Sequence, residues 1–273
     1  MHNLVTVSIN AGIADIRFNR PDKHNSLTLE MFDAINAAAA VLSDDATVRV
    51  AVLSGNGPSF CAGLDFSIMA EMLKGPADAQ AVLERLLARD GRAENCAQRA
   101  AMAWKNAPVP VIAALHGVAF GGGCQIALGA DLRLAAPDAR LSVMEIKYGL
   151  IPDMGLTQTL PALVRLDVAK ELCLSGRIVA AQEAVQLGLV TRVTTEPVAA
   201  AFEIARAIAA RSPAAVRAAK RLLNETWRAD ASTGLALEEA LQRTLLGSPD
   251  QTEAVLASMQ KREPQFAAAG GGA

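Results

Sequence analysis

Three consecutive glycines, Gly121-Gly122-Gly123, stand between an apolar run ending at Leu115 and a helical run beginning at Cys124. No side chain shields the backbone there, and the first N–H groups of the following helix have no partner within it, with the positive end of the helix dipole behind them. Such a segment brings main chain close to another group, either packed backbone or the oxygen of a ligand. In full it reads His116-Gly117-Val118-Ala119-Phe120-Gly121-Gly122-Gly123-Cys124-Gln125, and a second segment, Ser59-Phe60-Cys61-Ala62-Gly63-Leu64-Asp65, also follows a strand and is rich in small residues. Together they suit a pair of backbone donors aimed at one oxygen.

The flanking pattern is mixed α/β. Val5 to Ile9 and Ile13 to Phe18 predict a hairpin about Asn10-Ala11-Gly12. Thr28 caps an amphipathic helix over Leu29 to Leu42, and Val48 to Leu53 reads as a buried strand, so the connection is a crossover. Phe66 to Trp104 is helical but broken at Lys74-Gly75-Pro76 and near Asp90-Gly91, which suits a wall or lid beside a pocket. Val111 to Leu115, Leu132 to Ala135 and Leu141 to Met144 predict further strands. Beyond Thr157 the reading is helical: Thr157 to Val164, Val168 to Leu174, Ala180 to Leu187, Val198 to Ala210, Pro213 to Trp227 and Leu235 to Leu246. The organisation expected is a core over 1–195, a C-terminal helical oligomerisation region over 196–266, and a disordered tail over 267–273.

Composition removes several chemistries. A chain of 273 residues buries roughly 73% of its unfolded surface, so its core requires no covalent or metal staples. Cys61, Cys96, Cys124 and Cys173 form no CxxC pair, and His2, His24 and His116 lie at no metal-ligand spacing, so no metal is expected. His116, after an apolar strand, is read as structural. GxSxG, GxxxxGK[ST] and a complete GxGxxG at the head of a βαβ unit are all missing. The formal charge of −2 provides no general attraction to nucleic acid or to a membrane surface. No leader or spanning segment is visible, and a cytoplasmic location is expected.

What remains is acid chemistry. The loop Ser142-Val143-Met144-Glu145-Ile146-Lys147-Tyr148-Gly149-Leu150-Ile151-Pro152-Asp153-Met154-Gly155 sets Glu145 and Asp153 among apolar residues. Desolvation there raises a carboxyl pKa toward working pH, as general acid–base catalysis requires.

The strings NRPDKHNSLT (Asn19 to Thr28), FCAGLD, HGVAFGGGC, MEIKYGLIPDMG and SGRIVAAQEAVQLGLVTRV (Ser175 to Val193) resemble, in order, those of the crotonase superfamily, the enoyl-CoA hydratases and isomerases. The resemblance implies an α/β crotonase-like spiral of ββα units forming two sheets, with a C-terminal helical trimerisation region. It also implies an acyl-CoA thioester as substrate, no separate cofactor, and a homotrimer or dimer of trimers. By the same resemblance the N–H groups of Leu64 and Gly122 form the oxyanion hole, each such donor being worth about 2.7–4 kcal/mol in the transition state. Lys23 and the backbone around Ala62, Leu64 and Ser67 would contact CoA.

Hydratases of this family carry two glutamates. Glu145 matches the second, but Gln125 stands at the first, and an amide exchanges no proton near neutral pH. Asp153 matches an acid of the dienoyl-CoA isomerases, although those carry an aspartate where Gln125 stands. The reading is a double-bond shift in an enoyl- or dienoyl-CoA, with Glu145 and Asp153 as acid and base. The alternative is syn hydration of a 2-enoyl-CoA, with Gln125 as the active-site polar residue placing water for Glu145.

Met69, Met72, Leu73, Leu83, Leu86 and Leu87 recur at helical spacing and are candidates for an acyl pocket. Arg217, Lys220 and Arg221, with Arg228 further along, put positive charge along one helix, which raises an RNA-binding reading, while Gln125 raises that of an inactive scaffold. That stripe lacks interleaved aromatics, and no nucleic-acid partner is expected.

Overall fold

Val5–Asn10 (β1) and Ile13–Phe18 (β2) pair antiparallel, and the two residues between them, Ala11 and Gly12, both take positive φ to close the turn. The computed structural model describes residues 3–267. Helix α1 (Leu29–Asp44) starts where the Thr28 side chain accepts the Met31 N–H, and leads into β3 (Val50–Gly55). Three helices follow, α2 (Phe66–Met72), α3 (Pro76–Leu86) and α4 (Cys96–Asn106), the last opened by a capping box between Asn95 and Gln98. Then come β4 (Val111–Leu115), β5 (Val118–Phe120), α5 (Gly122–Gly129), β6 (Leu132–Ala135) and β7 (Arg140–Ser142). The chain continues through a 3₁₀ turn at Glu145–Tyr148, α6 (Leu156–Thr159), α7 (Leu166–Ser175), β8 (Val179–Ala180), α8 (Ala181–Leu187) and β9 (Arg192–Val193). Four helices complete it: α9 (Pro197–Ala209), α10 (Pro213–Thr226), α11 (Ala231–Leu245) and α12 (Pro249–Met259).

The strands form two sheets, one in the order β1-β2-β3-β4-β6-β9 and parallel after its first hairpin, the other in the order β5-β7-β8. Both faces of the larger sheet are covered, which is why β3 and β4 read as unbroken apolar runs. Ala51 and Leu53 join the core shared with α1, α4 and α5, while Val50 and Val52 point the other way, against Ala201 and Ala205 of α9. An isolated parallel bridge between Cys61 and Ala119 lays the glycine segment that follows β3 alongside β5.

The structure moves several expected boundaries. Just beyond residue 195, α9 packs on the second face of the large sheet, its Ala201 and Ala205 against Val50, Val52 and Ile112. The expected helix over Thr157 to Val164 is α6 followed by a 3₁₀ turn at Leu160–Ala162, since Pro161 cannot continue the α-helical ladder. The strand expected at Leu141 to Met144 ends at Ser142, beyond which the chain turns into the 3₁₀ segment. Within the basic stripe, Lys220 is buried, donating to Trp104 O at 3.1 Å, Val109 O at 2.9 Å and Asp131 Oδ2 at 2.7 Å, while Arg217 donates to Val48 O at 3.0 Å. Those two charges tie α10 to the core and form no nucleic-acid face. The tail expected to be disordered lies, after Ala267, outside the described residues.

Candidate active site

The first glycine segment is held from both sides. His24 and Asn25 both adopt left-handed backbone, a conformation asparagine tolerates, and Asn25 is fully buried, accepting from Arg20 N and donating to Asn56 O and Ser59 O. This turn directs residues 24–27 alongside residues 61–65: Ala62 N donates to His24 O, Leu27 N to Gly63 O at 2.8 Å, and Asp65 N to Leu27 O at 2.9 Å. On the other side Cys61 N donates to Val118 O and Phe120 N to Cys61 O, both at 3.0 Å. Gly63 is required here. Its φ is +89°, and a Cβ would lie 2.6 Å from Phe120 O.

One further cluster fixes the chain just after Leu64. Asp65 accepts Ser67 N at 2.9 Å to cap α2, accepts Ser26 Oγ at 2.7 Å, and is paired with Arg20, which also donates to Ser26 Oγ at 2.8 Å. Partial burial works against the Asp65 carboxylate, but the hydrogen bonds from Arg20, Ser67 and Ser26 outweigh it and hold its pKa well below the usual carboxylate range.

The second segment begins where Gly121 N donates to Ser142 O, and α5 opens at Gly122. Among the described residues neither Leu64 N–H nor Gly122 N–H has an acceptor. The two are neighbours, since a Cβ built on Gly63 would lie 3.6 Å from Gly122 N. Both Leu64 and Gly122 line a cavity of about 190 Å³ that also includes Glu145 and Asp153.

Glu145 begins the 3₁₀ turn and is only 9% exposed. Burial raises its pKa, hydrogen bonds from its own backbone and from Gln125 lower it in part, and the Asp153 charge raises it further. Gln125 Nε2 donates to Glu145 Oε1 at 2.6 Å, whereas Glu145 Oε2 is buried without a partner. Asp153 lines the same cavity but is a solvent-exposed residue; the desolvation it does meet outweighs its own backbone hydrogen bond and raises its pKa as well. The site therefore holds two carboxyl groups whose pKa values are raised, mainly by desolvation, beside two free backbone donors.

Gln125 lies behind two of the lining residues, Glu145 and Met154. It is 1% exposed and is not among the cavity-lining residues. Met154 N donates to its Oε1 at 2.9 Å, which fixes the amide orientation and commits its Nε2 to Glu145. Ala62 lines the cavity, while Lys23 is exposed on a 3₁₀ turn outside it and the Ser67 N–H is occupied by Asp65. Met69, Met72, Leu83 and Leu86 line the cavity, whereas Leu73 and Leu87 are exposed outside it. His116 Nε2 pairs with Gly57 O at 2.8 Å, which is a loop contact.

Sequence reasoning missed the Arg20–Ser26–Asp65 cluster and the cavity residues Met144, Tyr148 and Met154. A signal existed for Asp65, which precedes the helix at Phe66 as a capping residue does. Arg20 lies 45 positions away, a pairing no local pattern reveals.

Comparison with known proteins gives one consistent answer. The family model described as enoyl-CoA hydratase/isomerase matches residues 8–269. The mitochondrial methylglutaconyl-CoA hydratase of Rattus norvegicus is 34% identical over 264 residues, covering 94% of this chain and 80% of the relative. The peroxisomal Delta(3,5)-Delta(2,4)-dienoyl-CoA isomerase of Arabidopsis thaliana is 32% identical over 271 residues, covering 97% and 96% respectively. The crystal structure of an enoyl-CoA hydratase from Bacillus anthracis superposes with a TM-score of 0.86 at 32% identity, covering 96% of this chain and 98% of that one.

Proposed function

This chain belongs to the enoyl-CoA hydratase/isomerase family, the crotonase superfamily, and from that premise we propose that it moves a double bond along an enoyl- or dienoyl-CoA. The observation that carries this reading is that Glu145 and Asp153 line one cavity beside the Leu64 and Gly122 N–H groups, while the Gln125 amide is bonded to Glu145 and Met154 behind that lining.

The thioester oxygen sits between the two N–H groups, which stabilise negative charge as it develops there. One carboxylate takes a proton from C2, and the electron pair passes into the conjugated enolate. The other acid, protonated, returns a proton to the far carbon, C4 of an enoyl or C6 of a dienoyl chain. The enolate collapses, its electron pair re-forms the thioester carbonyl, and the protein is left with the same number of protons. The reaction uses the state with one acid protonated and one ionised, and the upward shift of both acids brings them closer to working pH. The unpartnered Glu145 Oε2 supports Glu145 as one of the two.

Hydration is the second reading, favoured by relatives named as hydratases. It requires Gln125 to hold water, and the contacts of Gln125 to Glu145 and Met154 weigh against that role. Purified protein assayed in parallel with crotonyl-CoA and a 3,5-dienoyl-CoA separates the two. Isomerisation exceeding hydration is expected, and rapid hydration without isomerisation would reject the proposal. Self-assembly through the C-terminal helices belongs to the same reading, supported by exposed Leu223, Trp227, Leu235 and Met259.

A further inference from the structure

The cavity is apolar well beyond the reacting centre. Leu27, Phe32 and Met154 form its buried side, each no more than 5% exposed, while Met69, Met72 and Leu86 come from the α2–α4 region. The polar side chains lining it are Glu145, Asp153 and Tyr148, and among the described lining residues there is no lysine, arginine or histidine.

Of the cations in flanking segments, Lys147 is exposed on the 3₁₀ turn with no ion pair among the described residues, and four others are engaged elsewhere. Arg20 is paired with Asp65, Arg85 with Asp33 and Glu30, Lys74 with Glu71, and Arg177 with Glu171 and Glu183. A charged group on the far end of an acyl chain would leave water, meet no cation and share the cavity with two acids. A hydrocarbon end would instead gain about fourfold in affinity for each methylene buried. Methionines at positions 69, 72, 144 and 154 can repack around a bent or branched chain.

We propose that the substrates are acyl-CoA thioesters with an uncharged hydrocarbon chain to its end, and that the cavity rejects acyl groups ending in a carboxylate. This selection rests on the active-site reading above, but it concerns binding and is the same whichever reaction follows.

Isothermal titration of the full chain with hexanoyl-CoA and adipoyl-CoA tests it. Both are saturated at the reacting carbons and differ at the chain end, a methyl group in one and a carboxylate in the other. Hexanoyl-CoA is expected to bind at least 100-fold more tightly, and affinities within threefold would overturn the proposal. Met72→Lys, at a half-buried position at the end of α2, should gain at least tenfold for adipoyl-CoA and lose affinity for hexanoyl-CoA. An unchanged ratio in the folded variant would count against the proposed placement of the acyl end. Because neither ligand turns over, a failed isomerase reading shows in the dienoyl-CoA assay and a failed substrate class in this titration.

Discussion

Gln125 donates from Nε2 to Glu145 Oε1 at 2.6 Å and accepts the Met154 N–H on its other amide atom at 2.9 Å. One neutral side chain thus ties Glu145 to the segment carrying Asp153, and it leaves Glu145 Oε2 free for substrate. In this account the amide is a positioning residue, suited to a site in which a third acid would compete for the same proton.

Gln125→Glu tests that role. A carboxylate cannot donate to Glu145 unless it is itself protonated, so the pair would hold a proton between them and Glu145 would ionise at higher pH. Isomerisation near neutral pH should fall at least tenfold, and the acid limb of the pH–rate profile should move upward. The hydratase reading predicts a gain in hydration instead.

Glu145→Gln should lower isomerisation by about 10²–10⁴-fold, the usual contribution of a positioned acid or base. It should also stabilise the fold. Burial raises the Glu145 pKa in the folded state, so the folded chain binds more protons than the unfolded chain between the ordinary carboxylate value and the raised one. Stability therefore falls as pH rises through that window and stays reduced above it. Urea unfolding should show the variant more stable by about 0.5–2 kcal/mol at neutral pH, with the difference vanishing below the ordinary carboxylate value.

Asp65→Asn should act in the opposite sense. The folded pKa of Asp65 is depressed, so its stabilisation is present above the unfolded value and is lost as pH falls toward the folded one. The variant should be less stable by about 1–3 kcal/mol at neutral pH, a deficit that shrinks in acid. A loss of kcat is also expected, because Leu64 is the adjacent residue.

Gly63→Ala should combine strain with a displaced donor. With φ at +89° and Phe120 O 2.6 Å from the new Cβ, the 61–65 segment must shift, taking the Leu64 N–H with it. Stability should drop by about 1–3 kcal/mol. Activity should drop by about 10²–10³-fold, as when an oxyanion donor is removed.

The legible parts of the site are those encoded locally. Glycines at positions 63 and 121–123 announce close backbone approach, and Glu145 and Asp153 stand out as acids in an apolar loop. The role of Gln125 could not be read this way, because it depends on side-chain and main-chain atoms 20 and 29 positions away. The same holds for Lys220, whose helical spacing suits a solvated stripe until Trp104, Val109 and Asp131 are placed around it. Strands β5, β8 and β9, of two or three residues, are too short to carry a period, and their pairing comes from the sheet they join. The packing of α9 on the large sheet was not legible because its alanine face resembles that of any amphipathic helix in sequence.

The central claim is that two carboxyl groups, Glu145 and Asp153, carry out the two proton transfers at the ends of the conjugated system, one removing a proton and the other supplying one. Asp153→Asn, assayed for dienoyl-CoA isomerisation with its folding checked by circular dichroism, tests it most directly. The account predicts a loss of about 10²–10⁴-fold with the fold intact. Isomerisation within a few-fold of the unsubstituted protein would show that Asp153 is not the second acid and would contradict the account.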